Sequence, residues 1–109
     1  MAYDEGLAQR IREILSEQTG LIEKKMFGGV AFMVHGHMCC GIVKDMLLVR
    51  VGAEQNDFAL ALPFTRPMDF TGKPMKGFIY VEPKGCVSDL ALKNWIERGL
   101  RYIKTLPPK

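Results

Sequence analysis

The stretch from residue 24 to residue 51 constrains the fold more than any other part of the chain. It is rich in β-branched, aromatic and methionine residues, and turn-forming pairs interrupt it at Gly28-Gly29, His35-Gly36 and Lys44-Asp45. This pattern is typical of short antiparallel strands joined by tight turns. We therefore predict four strands, near residues 24–27, 30–35, 37–43 and 46–51.

Helical patterns lie on both sides of this stretch. Apolar residues with helical spacing predict a first helix over residues 4–18, with Asp4 as its N-cap. A second apolar stripe predicts a long final helix that Ser88 caps and that ends before Pro107. Both helices have one apolar side, which suits packing on a sheet.

The segment between the strands and the final helix predicts smaller elements. Residues 53–61 favour a short helix that ends before Pro63. Residues 68–70 predict a short edge strand, residues 71–74 a turn and residues 77–81 another strand. The order is helix, three or four strands, short helix, two strands and long helix. This order predicts an α+β fold, with helices packed on an antiparallel sheet.

Length and composition are those of a single domain over residues 1–109. Hydrophobic residues make up 48% of the chain and charged residues 25%, and no apolar run approaches the roughly 20 residues that cross a bilayer. Asp4 and Glu5 stand where a secretory signal would be basic. The three cysteines do not suggest a disulfide framework. We expect reduced thiols, a cytoplasmic location and no contact with membranes.

The predicted hairpin turn at His35-Gly36 assigns side chains to two sheet faces. It sets Val34 opposite His37, Phe32 opposite Cys39 and Val30 opposite Gly41. The face without charge is predicted to be the core face, and it carries Ala31, Met33, Met38, Cys40, Ile42, Leu47, Val49 and Val51. The second face carries Val30, Phe32, Val34, His37, Cys39, Val43, Met46, Leu48 and Arg50.

The second face is too apolar to face water without a partner. Large exposed apolar patches mark interaction sites. We therefore predict an interaction face formed by Phe32, His37, Cys39, Met46, Leu48 and Arg50. Its partner would be another protein or a second copy of the chain. A small ligand or a metal bound against the same residues is the alternative.

Several segments of the chain carry a family resemblance. They are residues 25–34 with the Gly28-Gly29 pair, residues 45–51, residues 68–77, the helix that contains Trp95 and the ending at residues 105–109. These segments resemble the N-terminal domain of TfoX/Sxy-type proteins. The resemblance implies a fold like that of secretion chaperones and an association with the regulation of natural competence and transcription. It implies no reaction. Longer members carry a second, helical domain beyond the point where this sequence stops.

Residue types that bind metals or act as nucleophiles do not form a convincing centre. His35, His37, Cys39 and Cys40 include metal-ligand types, but the predicted register lets only His37 and Cys39 converge, whereas a structural zinc site needs four ligands. Cys39 beside His37 and Arg50 lacks an oxyanion donor and an orienting carboxylate. We predict no catalytic, cofactor or metal site.

Nucleic-acid binding remains open without positive support. The net charge of +3 is spread along the chain with no basic stripe. Basic and aromatic residues in the later loops could hold a single strand, namely Arg66, Lys73, Lys76, Lys84, Phe70, Phe78 and Tyr80. The sequence favours a non-enzymatic regulatory or protein-interaction module, with a small-ligand or metal-binding domain as the alternative.

Overall fold

Six antiparallel strands form one sheet in the computed structural model, which describes residues 3–26, 28–69 and 74–107. The strands are β1 (Leu21–Met26), β2 (Gly29–Val34), β3 (His37–Val43), β4 (Met46–Arg50), β5 (Thr65–Asp69) and β6 (Pro74–Val81). Their order across the sheet is β1-β2-β3-β4-β6-β5. β5 is an edge strand, which suits Pro67 because proline cannot donate to a central ladder.

Within the described ranges, three α-helices accompany the sheet: α1 (Glu5–Ile14), α2 (Asn56–Leu60) and α3 (Asp89–Ile103). Both predicted N-caps are confirmed. The Leu7 N–H donates to Asp4 Oδ1 at 3.1 Å, and the Ala91 N–H donates to Ser88 Oγ at 3.1 Å. A 3-10 turn over Ala53–Gln55 leads into α2, and another over Pro83–Cys86 precedes α3.

The predicted α+β fold is confirmed, and the differences lie at the ends of elements. α1 ends at Ile14, before the predicted 18, because the chain turns from Leu15 towards Gly20, whose φ is 71°. β6 begins at Pro74, a residue predicted to belong to a turn. Proline is tolerated as the first residue of a strand. Phe70 and the predicted turn at residues 71–73 lie outside the described residues.

The pairing of β2 with β3 contains a β-bulge. Next to the turn, Val34 opposes His37 and Met33 opposes Met38, but Phe32 then opposes Cys40 instead of Cys39. Cys39 is therefore an extra residue on β3. The predicted pairs Phe32 with Cys39 and Val30 with Gly41 are wrong, because the pairing beyond the bulge is shifted by one residue.

The bulge changes which residues of β2 and β3 face the core. One buried cluster packs the sheet against all three helices and includes Val30, Phe32, Val34, Cys39 and Cys40 from these two strands. The prediction that the first four of these residues lie on the second face is wrong. The prediction that Met33 and Met38 lie on the core face is also wrong, because Met38 packs in a separate cluster and Met33 is paired with it. The predicted core residues Ile42, Leu47, Val49 and Val51 are confirmed.

Helix α3 crosses the bulge at Gly99. A Cβ atom on Gly99 would lie 2.6 Å from the Cys39 carbonyl oxygen and 3.1 Å from Cys39 Sγ. The Cys39 thiol also donates weakly to the Ile96 carbonyl, at 3.8 Å. The backbone of α3 thus lies directly on the backbone of the bulge, and only glycine leaves room for this contact.

We expect Gly99→Ala to lower the free energy of unfolding by about 1–3 kcal/mol, because the added methyl group would meet backbone that cannot move freely. Gly6→Ala in α1 is the matched control, since its new methyl group would meet only the Asp4 side chain, at 3.3 Å. Denaturant unfolding followed by circular dichroism measures both changes. Equal effects of the two substitutions would contradict the close packing at the bulge.

Candidate interaction surface

A second apolar cluster lies on the side of the sheet away from the helices. Leu48, Met68 and Tyr80 are its buried members. We call the whole surface the outer face, and its members are Met33, Met38, Val43, Met46, Leu48, Met68, Phe78 and Tyr80. In the part of the chain that the structure describes, the apolar side chains that the helices bury all join the other cluster. Within that part, no helix covers the outer face.

Methionine dominates the outer face. Met33, Met38 and Met46 are half-buried, and Met68 is buried at 4% exposure. Ile22, paired with Met33, is 61% exposed and extends the apolar surface to the edge strand β1. Methionine side chains are flexible and polarisable, so a methionine-rich surface can adapt to a partner's shape.

Charged groups border this apolar surface. The Arg50 guanidinium lies 5.5 Å from the centre of the Phe78 ring, and Arg66 Nε donates to Glu82 Oε2 at 2.7 Å. An apolar centre with a polar rim is typical of protein–protein interfaces.

The six residues predicted to form an interaction face do not lie together. Met46, Leu48 and Arg50 belong to strand β4 and lie on or beside the outer face. Phe32 and Cys39 are fully buried in the core cluster beneath the helices, because the bulge turns them to that side. The prediction that they share a surface with Leu48 is therefore wrong.

His37 is buried at 8% exposure and contacts the C-terminal segment. Its Nε2 atom lies 2.6 Å from the Pro107 carbonyl oxygen. A carbonyl only accepts, so Nε2 carries the hydrogen and donates. Nδ1 has no hydrogen-bond partner among the described residues. His37 thus fixes the segment that follows α3 against the β2–β3 hairpin.

The predicted metal-ligand types are also separated. His35 lies in the turn, with its Nε2 atom 3.2 Å from Thr19 Oγ1, while Cys39 points to α3. Among the described residues, no three His, Cys, Asp or Glu side chains form a group that could hold a metal ion. The ligand pocket predicted between Phe32, His37, Cys39 and Arg50 is not formed, since the first three are buried on the core side.

The three thiols are free and buried. A hydrogen bond with Cys39, together with burial, raises the pKa of the Cys40 thiol well above its usual value. Burial raises the pKa of Cys86 to about 11. Thiols of this kind stay protonated at neutral pH and are poor nucleophiles.

The predicted basic and aromatic loop cluster falls only partly within the described residues. Lys73 and Phe70 lie outside the described residues, Arg66 is paired with Glu82, and Tyr80 is buried in the outer-face cluster. Nucleic-acid binding by this region stays a prediction.

A groove on another part of the surface was not predicted from the sequence. It lies between residues 51–55 and the C-terminal half of α3 and encloses about 550 Å³. Its other wall is formed by Arg98, Arg101 and Tyr102 of α3 and by Thr105, which follows the helix. We call it the arginine groove. It depends on contacts between residues about 50 positions apart, which local patterns do not reveal.

We expect stability to fall as the pH rises from 9 to 11. The unfolded Cys86 thiol ionises near pH 9.0 and the folded one near 11, so the unfolded state holds fewer protons between these values and is favoured as the pH rises. The contribution of the thiol is complete below pH 9. Denaturant midpoints measured across this range should fall further in the wild type than in Cys86→Val. Parallel curves would contradict the raised pKa.

No helix among the described residues is long and apolar enough to cross a membrane. The TfoX N-terminal domain family matches residues 13–103, most of the chain. Comparison with curated proteins and with solved structures finds no match, so the predicted likeness to secretion chaperones stays a prediction. The family match extends from the last two residues of α1 to the end of α3 and includes all the described strands. The chain belongs to the TfoX N-terminal domain family, as its sequence resemblance predicted.

Proposed function

We infer that this protein is a non-enzymatic regulatory or protein-interaction module, and that a protein covers its outer face. That protein is either a partner or a second copy of the chain. The observation that carries this proposal is the methionine-rich cluster on the side of the sheet that no described helix covers.

The chemistry of the outer face supports association. Its apolar side chains come from five neighbouring strands and form one continuous surface whose members are half-buried or buried, instead of scattered single residues. Contiguous exposed apolar surface is typical of interaction sites, whereas single exposed apolar residues are common on any protein. The flanking Arg50 and the Arg66–Glu82 pair could give the contact its orientation.

The non-enzymatic part of the proposal draws on the thiols. Cys39 and Cys40 are fully buried and Cys86 nearly so, and the pKa values of Cys40 and Cys86 are raised. The one nucleophile that the sequence suggested, Cys39, instead donates to the backbone of α3. Free, buried thiols also favour our assignment of the protein to the cytoplasm.

The regulatory part of the proposal draws on the family. Resemblance to TfoX/Sxy-type proteins suggests a role connected with competence and transcription. In this proposal the domain acts by binding another protein.

We expect the wild-type protein to associate as its concentration rises from micromolar to near-millimolar values, and Met33→Lys/Met46→Lys to weaken this association by on the order of tenfold or more. The double variant places two charges on the outer face, one on β2 and one on β4. Val87→Lys/Leu90→Lys is the matched control, because these apolar residues are 77% and 69% exposed on the helical side. Sedimentation equilibrium measures association, and thermal unfolding confirms that all three proteins are folded.

If the wild type is monomeric, the same three proteins are compared for binding of a partner protein. Each protein is then immobilised and exposed to cell extract, and a partner bound by the wild type and the control but lost by Met33→Lys/Met46→Lys supports the proposal. If neither association nor capture depends on the outer-face residues, the proposal is refuted.

A further inference from the structure

Arginine residues in the described part of the chain fall into two groups. Arg10, Arg12 and Arg66 each lie within 4.0 Å of a carboxylate, namely Asp89, Glu23 and Glu82. Arg50, Arg98 and Arg101 have no such partner among the described residues. These last three are the arginines in or beside the arginine groove.

Aromatic rings hold two of these guanidinium groups in place. Arg98 lies 5.4 Å from the centre of the Phe58 ring and 5.3 Å from that of Trp95. Arg50 lies 5.3 Å from the centre of the Tyr102 ring, which lines the groove. Stacking orients a guanidinium group without neutralising its charge, so its N–H donors remain available to an anion.

The opposite wall of the groove is fixed by backbone hydrogen bonds. The N–H groups of Val51 and Gly52 donate to the Gly77 carbonyl at 2.8 and 3.1 Å, and the Gly77 N–H donates to Asn56 Oδ1 at 2.8 Å. Gly52 has a φ of 87°, and a Cβ atom there would lie 2.4 Å from the Tyr102 ring. The ring therefore packs directly on the backbone of this wall. A groove built in this way needs little rearrangement to receive a ligand.

We propose that the arginine groove binds an acidic peptide segment of a protein partner. Arginine forks match the geometry of carboxylates, and clusters of arginine recognise acidic motifs. The volume of about 550 Å³ holds several side chains, and the exposed Phe58 beside Arg98 offers an apolar contact. The groove is separate from the outer face, so binding here does not require the outer face to be an interface.

The charge pattern favours a short peptide over nucleic acid. Glu54 lines the wall opposite α3, where it would repel a continuous phosphate backbone. A peptide can place its carboxylates near Arg98 and Arg101 and turn its backbone N–H groups towards Glu54. The groove is also open to solvent, which suits an extended segment better than a small molecule that needs enclosure.

The guanidinium groups are essential for binding an anion at the C-terminal end of α3. A helix C-terminus carries a partial negative charge, which repels an anion. Arg98 and Arg101 lie in the last two turns of α3, so an acidic segment can bind there only through their positive charge.

The test uses a glutamate-rich peptide that contains one leucine and is blocked at both ends. The same peptide with glutamine in place of each glutamate is the control ligand, and inorganic phosphate is the small anion. Amide chemical shifts of the isotope-labelled protein report where each probe binds. We expect only the glutamate peptide to change the amide chemical shifts of residues 52–55 and 101–105. Phosphate at the same concentration of negative charge should not produce a comparable, saturating change in these shifts.

Arg98→Gln/Arg101→Gln should weaken binding of the glutamate peptide by about tenfold, since two charge-assisted contacts are lost at a partly exposed site. Arg10→Gln/Arg12→Gln removes the same charge on α1 and should leave the affinity within about twofold. Arg101 is exposed and has no described hydrogen bond, ion pair or ring contact, so Arg101→Gln alone should not disturb the fold. If this single variant also weakens peptide binding, by less than the double variant, misfolding is excluded as the cause.

Three outcomes would overturn the proposal. They are equal weakening by both double variants, equal shifts from the glutamine peptide, and saturation by phosphate alone, which would assign the groove to small anions instead.

Discussion

One extra residue in β3 determines which side chains the sheet presents to its helices. Cys39 interrupts the ladder between β2 and β3, and both Cys39 and its neighbour Cys40 join the core cluster. The backbone of α3 can lie on this bulge because Gly99 has no side chain there. The position of α3 thus depends on a local fit between a strand irregularity and one glycine.

Both candidate surfaces follow from this arrangement. Phe32 faces the helices on one side of the bulge, and Met33 and Met38, between the bulge and the hairpin turn, lie on the outer face. On the other side of the sheet, α3 extends over β3 and β4 until Tyr102 packs on Gly52, which creates the arginine groove. Arg50 touches both regions, since its guanidinium group lies near the rings of Phe78 and Tyr102.

Features that depend on neighbouring residues could be predicted from the sequence, whereas the packing of residues that are distant in the chain could not. Asp4 and Ser88 were identified as caps because capping depends on neighbouring residues, and the turn at His35-Gly36 was located for the same reason. The bulge carries no comparable signal, because an uninterrupted ladder of the same residues also gives one charge-free face. The bulge packs against α3 at Gly99, which is 60 residues away from Cys39 in the chain, and local patterns do not reveal a contact over that separation. Because the predicted register was wrong, the residues of the predicted interaction face lie on two sides of the sheet. Met46, Leu48 and Arg50 lie on or beside the outer face.

Cross-strand backbone contacts between β2 and β3, measured by proton NMR on the folded protein, test the bulge most directly. The structure predicts that backbone protons of Phe32 lie opposite those of Cys40, and those of Val30 opposite those of Ile42. An uninterrupted ladder would pair Phe32 with Cys39 and Val30 with Gly41. Observation of that second set of contacts would contradict the account, because Phe32 and Cys39 would then lie on the outer side, and Met33 and Met38 beneath the helices.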